Sequence, residues 1–145
     1  MMAFGKFLLA VLCMGLIGAR LPAHHFAEGQ VWEYRTRPGD EGSLLKIQKI
    51  EVLPEFVETG PIYHVSIIGL HFPGLPVEGK LQHAPFSKVS LDMSVIKLSK
   101  SKSEFPDVGA VIAEWKAGHG GVFTVTVAEA VNFAEQTMRS QMLGQ

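Results

Sequence analysis

The chain has 145 residues, 47% of them hydrophobic, and carries 13 Lys plus Arg against 14 Asp plus Glu, a formal charge of −1. The charges are dispersed. Only Lys97, Lys100 and Lys102 gather, and they suit a solvated helix end, so the basic patch that nucleic acid or an anionic membrane surface demands is absent from the pattern.

In chain order, Lys6 precedes an unbroken apolar run over residues 7–19, which closes on Arg20-Leu21-Pro22-Ala23. At about 1.5 Å per residue the run covers roughly 20 Å, short of the roughly 30 Å of a bilayer's hydrocarbon. The pattern predicts a secretory signal peptide over residues 1–23, removed after Ala23, with a periplasmic or secreted destination and no stable membrane anchor left behind. Cys13, the only cysteine, lies inside the run rather than at a lipoprotein junction, so 24–145 has no disulfide and no thiol. Removing Lys6 and Arg20 leaves 11 cationic against 14 acidic residues, a charge of −3. The rest of the chain, without linker or repeat, is predicted to form a single small domain held by its core.

His24-His25 stands at the new terminus, where a free amine and two imidazoles are suited to copper or nickel, but the segment is expected to be disordered. Residues 30–36 alternate bulky β-formers with polar residues, and Arg37-Pro38-Gly39-Asp40-Glu41-Gly42 is dense in turn formers. The extended pattern resumes over 43–53, completing a hairpin, with a change of parity that predicts a bulge near Gln48-Lys49. A loop over 54–60 leads to a third strand over 61–71. Ser87 is placed to cap a helix, with Phe86 and Leu91 as a hydrophobic staple, and 88–99 is read as helix. Val89, Leu91, Met93 and Val95 also alternate as a strand would, and that rival reading stays open. Asp107 is placed to cap a second helix with Val108, Val111, Ile112 and Trp115 on one stripe and Gly118 at its end. After a short extended piece at 122–125, Thr126-Val127-Ala128-Glu129 matches a capping box. Val127, Ala130, Val131, Ala134, Met138 and Met142 then mark the core stripe of a last helix.

Strands followed by helices predict an α+β fold: an antiparallel three- to four-stranded meander covered on one face by two or three helices. Alternation in the third strand would then turn Ile62, His64, Ser66 and Ile68 away from the helices, beside Glu33, Arg35, Lys46 and Gln48 on neighbouring strands. Such a face suits ligand binding or acid-base chemistry, although ordinary wet cross-strand pairs account for it as well. The hairpin tip is the densest set of exposed polar residues, and loops held by a rigid sheet often carry binding. No pair of histidines has metalloprotease spacing, His64, His71, His83 and His119 fall on separate elements, and no nucleophile elbow or phosphate loop occurs, so no metal, cofactor or catalytic residue is predicted.

Trp32-x-Tyr34-x-Thr36-Arg37-Pro38-Gly39-Asp40-Glu41-Gly42-Ser43, Ile62-x-His64-Val65-Ser66-Ile67, His83-Ala84-Pro85-Phe86-Ser87 and Gly120-Gly121-Val122-Phe123-Thr124 together resemble a group of small uncharacterised bacterial proteins. The group shares a Thr-Arg-Pro-Gly-x-Glu-Gly-Ser hairpin and a His-x-Pro-Phe-Ser segment, and the resemblance spans roughly residues 29–131. It implies no activity, cofactor or partner, and draws attention to Arg37, Glu41, His64 and His83.

The functional expectation is an exported, non-enzymatic module that binds a protein partner or a small ligand through Arg35, Arg37, Glu41, His64, Ser66 and His83. Two alternatives stand beside it: a small hydrolase or isomerase using His64 or His83, and a secreted inhibitor or immunity-type protein.

Overall fold

A computed structural model describes residues 23–144. The expected signal peptide falls outside them except for its last residue, Ala23. Five strands, β1 Val31–Tyr34, β2 Leu44–Glu51, β3 Ile62–Ile68, β4 Lys80–Ser87 and β5 Val95–Leu98, form one antiparallel sheet in the order β4-β3-β2-β1-β5. Three α-helices accompany it: α1 Lys88–Ser94, α2 Gly109–Ala117 and α3 Val127–Leu143. The fold is α+β, and β1 to β4 are the expected meander.

The bulge falls where the parity changes. Ile47 pairs with Val65 and Lys49 with His64, so Gln48 has no partner across the ladder. The capping box is also formed: the Glu129 amide donates to Thr126 Oγ1 at 3.2 Å, and the Thr126 amide to Glu129 Oε2 at 3.0 Å.

β4 completes a four-stranded meander, and β5 raises the strand count to five, above the predicted three or four. β4 contains Pro85, which argues against a strand, but the Pro85 carbonyl points outward and accepts from the Phe123 amide at 2.9 Å. The amide hydrogen that proline lacks would point the same way, so no bond to β3 is lost at this edge. The stretch read as helix or strand over 88–99 is both in turn. Ser87 caps α1, accepting from the Ser90 amide at 3.2 Å, and the chain turns extended at Val95 because 95–98 pairs with β1.

Trp32, Tyr34, Leu45, Ile47, Tyr63, Val65, Ile67, Ala84 and Phe86 from the sheet pack with Leu91 of α1 and with Val127, Ala130 and Val131 of α3. This is the expected helix-covered face. The second face departs from expectation, because α2 and the segment before it lie across it. Gln48 donates to the Pro106 carbonyl at 2.9 Å, Gln82 to the Asp107 carbonyl at 2.8 Å, and the Trp115 ring meets the His64 ring edge-on at 5.1 Å. His64 and Ser66 are accordingly fully buried rather than wet, and Ile62, Val108 and Ile112 are buried outside the main cluster.

The start of the described chain is also tied down rather than disordered. The His24 ring meets Trp32 edge-on at 5.3 Å and stacks near Phe26 at 5.8 Å, and the His24 amide donates to Asp92 Oδ1 at 3.0 Å. Among the described residues no helix is long and apolar enough to cross a membrane.

Candidate functional site

The six residues singled out in the sequence separate into two places. Arg37 leaves the hairpin tip and reaches back across the fold: its Nε donates to Asp40 Oδ2 at 2.7 Å, and its terminal nitrogens reach Asn132, Glu135 and the His71 carbonyl, each at 3.1 Å. Asp40 is only 1% exposed and also accepts from the His71 amide at 2.8 Å. Burial works against the Arg37 charge, but the bonds to Asp40 and Glu135 outweigh it and raise the guanidinium above its ordinary value. Arg37 therefore clamps the hairpin to α3. Behind it, Tyr34 is pushed up to about 12, chiefly by burial, and its hydroxyl lies 2.7 Å from Ser43 Oγ. Glu41 turns back on its own tip and accepts from the Gly39 amide, while exposed Arg35 donates to the Met93 carbonyl at the end of α1.

The other three residues meet on the second face. β3 carries His64 and Ser66 inward under α2, and β4 brings His83 alongside. His64 Nδ1 lies 2.8 Å from His83 Nε2, and Ser66 donates to the Gln82 carbonyl at 2.6 Å while accepting from Gln48. Four further residues complete the group without having been foreseen. Glu51 at the end of β2 puts Oε1 3.4 Å from His64 Nε2, a contact longer than a good hydrogen bond, and Lys116 and Lys49 hold the same carboxylate at 2.6 and 3.2 Å. Trp115 of α2 meets both imidazoles edge-on.

Charge states follow from these neighbours. Burial alone would raise Glu51, but Lys116 and Lys49 hold it below the usual carboxylate range, so it is ionised. Burial lowers His64, with Lys49 and Lys116 adding to the effect and Glu51 opposing it, and burial together with His64 pulls His83 down to about 4. Both imidazoles are neutral at pH 7. An ionised Glu51 calls for the proton of His64 on Nε2, which leaves Nδ1 to accept from His83 Nε2 and the free lone pair on His83 Nδ1. His64 Nε2 and Glu51 Oε1 are nevertheless buried without a hydrogen-bond partner of good geometry among the described residues.

Next to this group lies a cleft of about 290 Å³ lined by Leu53, Glu55, Phe56, Trp115, Lys116, His119 and Gly120. Phe56 and Trp115 stack at 5.8 Å, and the indole Nε1 donates to the Gly121 carbonyl at 3.0 Å, which fixes the ring. A Cβ at Gly120 would lie 2.1 Å from Trp115 Cδ1, so only glycine lets the chain pass the indole. Beyond Gly118, which caps α2 as foreseen, His119 takes φ 51°, a left-handed conformation that costs a side-chain-bearing residue about 1–3 kcal/mol. Among the described residues no three His, Cys, Asp or Glu are grouped to hold a metal ion.

The sequence carried a trace of this arrangement. Ile62 and Ile68 share the parity of His64 and Ser66, and two isoleucines on a supposedly wet face indicate that the face is covered. Trp115 was visible only as core stripe, and Glu51, Lys116 and Phe56 carried no pattern of their own. The chain matches no known family model, no curated protein and no solved structure.

Proposed function

We propose that the protein is an exported, non-enzymatic module that binds a small ligand in the cleft beside Trp115, in the periplasm or outside the cell. The observation that carries this reading is the stacked Phe56–Trp115 pair walling a concave space of about 290 Å³, with Lys116 and His119 on its rim. Ligand sites combine apolar, aromatic walls with a few fixed polar groups, and this volume suits a small molecule. A planar apolar body against the rings and an anionic group toward Lys116 match the lining. His119 supports the reading, since strained backbone clusters at ligand-binding segments. Export rests on Lys6, the apolar run 7–19 and the small Ala23.

Tryptophan fluorescence tests it, because the chain has only Trp32 and Trp115. In a Trp32→Phe background, a panel of small planar carboxylates and phosphates should include members that change Trp115 emission saturably. Lys116→Ala should weaken them about tenfold, the loss of one charge-assisted contact. Emission that no member alters, or affinity indifferent to Lys116→Ala, counts against the cleft.

The hydrolase or isomerase reading draws support from one observation: Glu51, His64 and His83 form a carboxylate–imidazole–imidazole chain ending in an open ring nitrogen. Such a chain orients a general base. A base serves best with a pKa near the working pH, however, and His83 at about 4 is a weak one at pH 7. The pair is better suited to holding α2 and Trp115 over the sheet.

A further inference from the structure

We infer that the Ala23–His24 bond is the processing site, and that the α-amino group released there becomes a structural ion-pair partner of Asp92. This rests on the export reading above and goes beyond it, because the observation is at the far side of that bond. The His24 nitrogen lies 3.0 Å from Asp92 Oδ1, and His24 Nδ1 lies 3.3 Å from the same oxygen. The Asp92 side chain is 12% exposed, and its other oxygen takes Lys88 Nζ at 2.7 Å.

Hydrolysis breaks the Ala23 C–N bond, with water's hydroxyl going to the Ala23 carbonyl carbon and its proton to the His24 nitrogen. The freed amine takes up a second proton from solvent and becomes an ammonium. An uncharged amide that donates one hydrogen bond to the Asp92 carboxylate is thereby replaced, at the same atom, by a cation, so a bond in which only the acceptor is charged becomes a full ion pair. The His24 ring against Trp32 and Phe26 keeps the nitrogen in place. A cut one residue to either side would leave no ammonium at this position. Processing is therefore coupled to closure of the fold: only in the released form are the amino-terminal segment and α1 joined by a full ion pair.

The sign of the pH dependence follows. An amine that gains a carboxylate partner has its pKa raised above the roughly 7.7–8.0 of a free terminus, so its stabilisation is complete below that range and is lost as pH rises through the raised value. The charged and titratable groups around it are Asp92 and Lys88 of α1, Tyr63 of β3, and the His24 and His25 rings. Tyr63, raised by burial, also loses its proton in alkali, so a blocked terminus is the needed reference at each pH.

The experiment uses protein exported from the full-length chain. Mass spectrometry of the purified product identifies its first residue. The α-amine is then acylated at pH 6.5, where it reacts ahead of lysine, and melting is compared for free and blocked protein at pH 6.5 and pH 10. The proposal expects His24 as first residue and a melting temperature about 3–5 °C higher for the free form at pH 6.5. That difference should shrink at pH 10 and be absent in Asp92→Asn. Another first residue overturns the assigned bond and its ion pair while leaving export standing, whereas an unprocessed chain overturns the proposal by removing the export reading on which it rests. A His24 terminus with equal melting of free and blocked forms overturns the ion pair and leaves export standing.

Discussion

The two faces of the sheet are buried by opposite means. Toward α1 and α3, rings and branched aliphatic side chains fill the space, and Phe86 among them is fully enclosed. Toward α2, the sheet presents His64, Ser66, Gln48 and Glu51, and the cover reaches them with carbonyls, a lysine and an indole edge. An apolar face is stabilised by any cover that excludes water, and it tolerates rearrangement. A polar face is stabilised only if each group is matched, and here His64 Nε2 and Glu51 Oε1 are not. The first face is thus sufficient to explain stability, whereas the second calls for a further reason, and the ligand cleft we propose beside it is one.

The comparison can be broken most severely on the apolar face. Phe86→Ala should cost about 3–5 kcal/mol in chemical unfolding, because the void has rigid walls of strand and helix. A cost below about 1 kcal/mol would mean the face is not close-packed. Arg37→Ala should cost about 2–3 kcal/mol by leaving Asp40 buried and unpaired. Arg37→Lys should recover only part of it, since an ammonium cannot serve Asp40, Glu135 and the His71 carbonyl together. Full recovery by lysine would reduce the clamp to its charge.

Acid should act through the polar face. A histidine whose folded pKa lies below its unfolded value of about 6.5 stabilises the fold above that pH, and the contribution falls as pH drops toward the folded value. With His83 at about 4 and His64 also lowered, stability should decline by on the order of 2 kcal/mol between pH 6.5 and 4.5. Glu51, Asp92 and Glu135, held below their ordinary range, begin to give up their contribution only as pH falls to about 4.5 and below, where the unfolded carboxylates protonate, so most of this window belongs to the imidazoles. His83→Gln should flatten the decline, and an unchanged slope in that variant would remove the pair from the account. The smallest effect belongs to Glu41→Ala: its carboxylate serves only its own turn in water, and melting should not change measurably.

Legibility followed the same division. Local chemistry was readable: the Thr126–Glu129 box, the Ser87 cap, the bulge at Gln48 and the α+β class all depend on a few neighbouring residues. Pairings between distant residues were less so. The alternation through Val95 offered a strand but not the point at which the chain leaves its helix to join β1, and Pro85 hides an edge strand whose outward carbonyl meets Phe123. His64, Ser66 and His83 were chosen for their chemistry and do meet, but Glu51 and Lys116 join them only through folding, from the end of β2 and from α2. Arg37 was read as an exposed residue of a hairpin tip, whereas two of its partners lie on α3, nearly a hundred residues away in sequence.

The central claim is that the polar face and its cleft, rather than the hairpin tip, form the binding surface. Backbone-amide and indole NMR shifts under titration with small planar anions test it most directly, since every region reports at once. Shifts gathered at residues 53–56, at the Trp115 indole and at 116–120 are the predicted result. Shifts gathered at residues 37–42, or none anywhere across the panel, would contradict it.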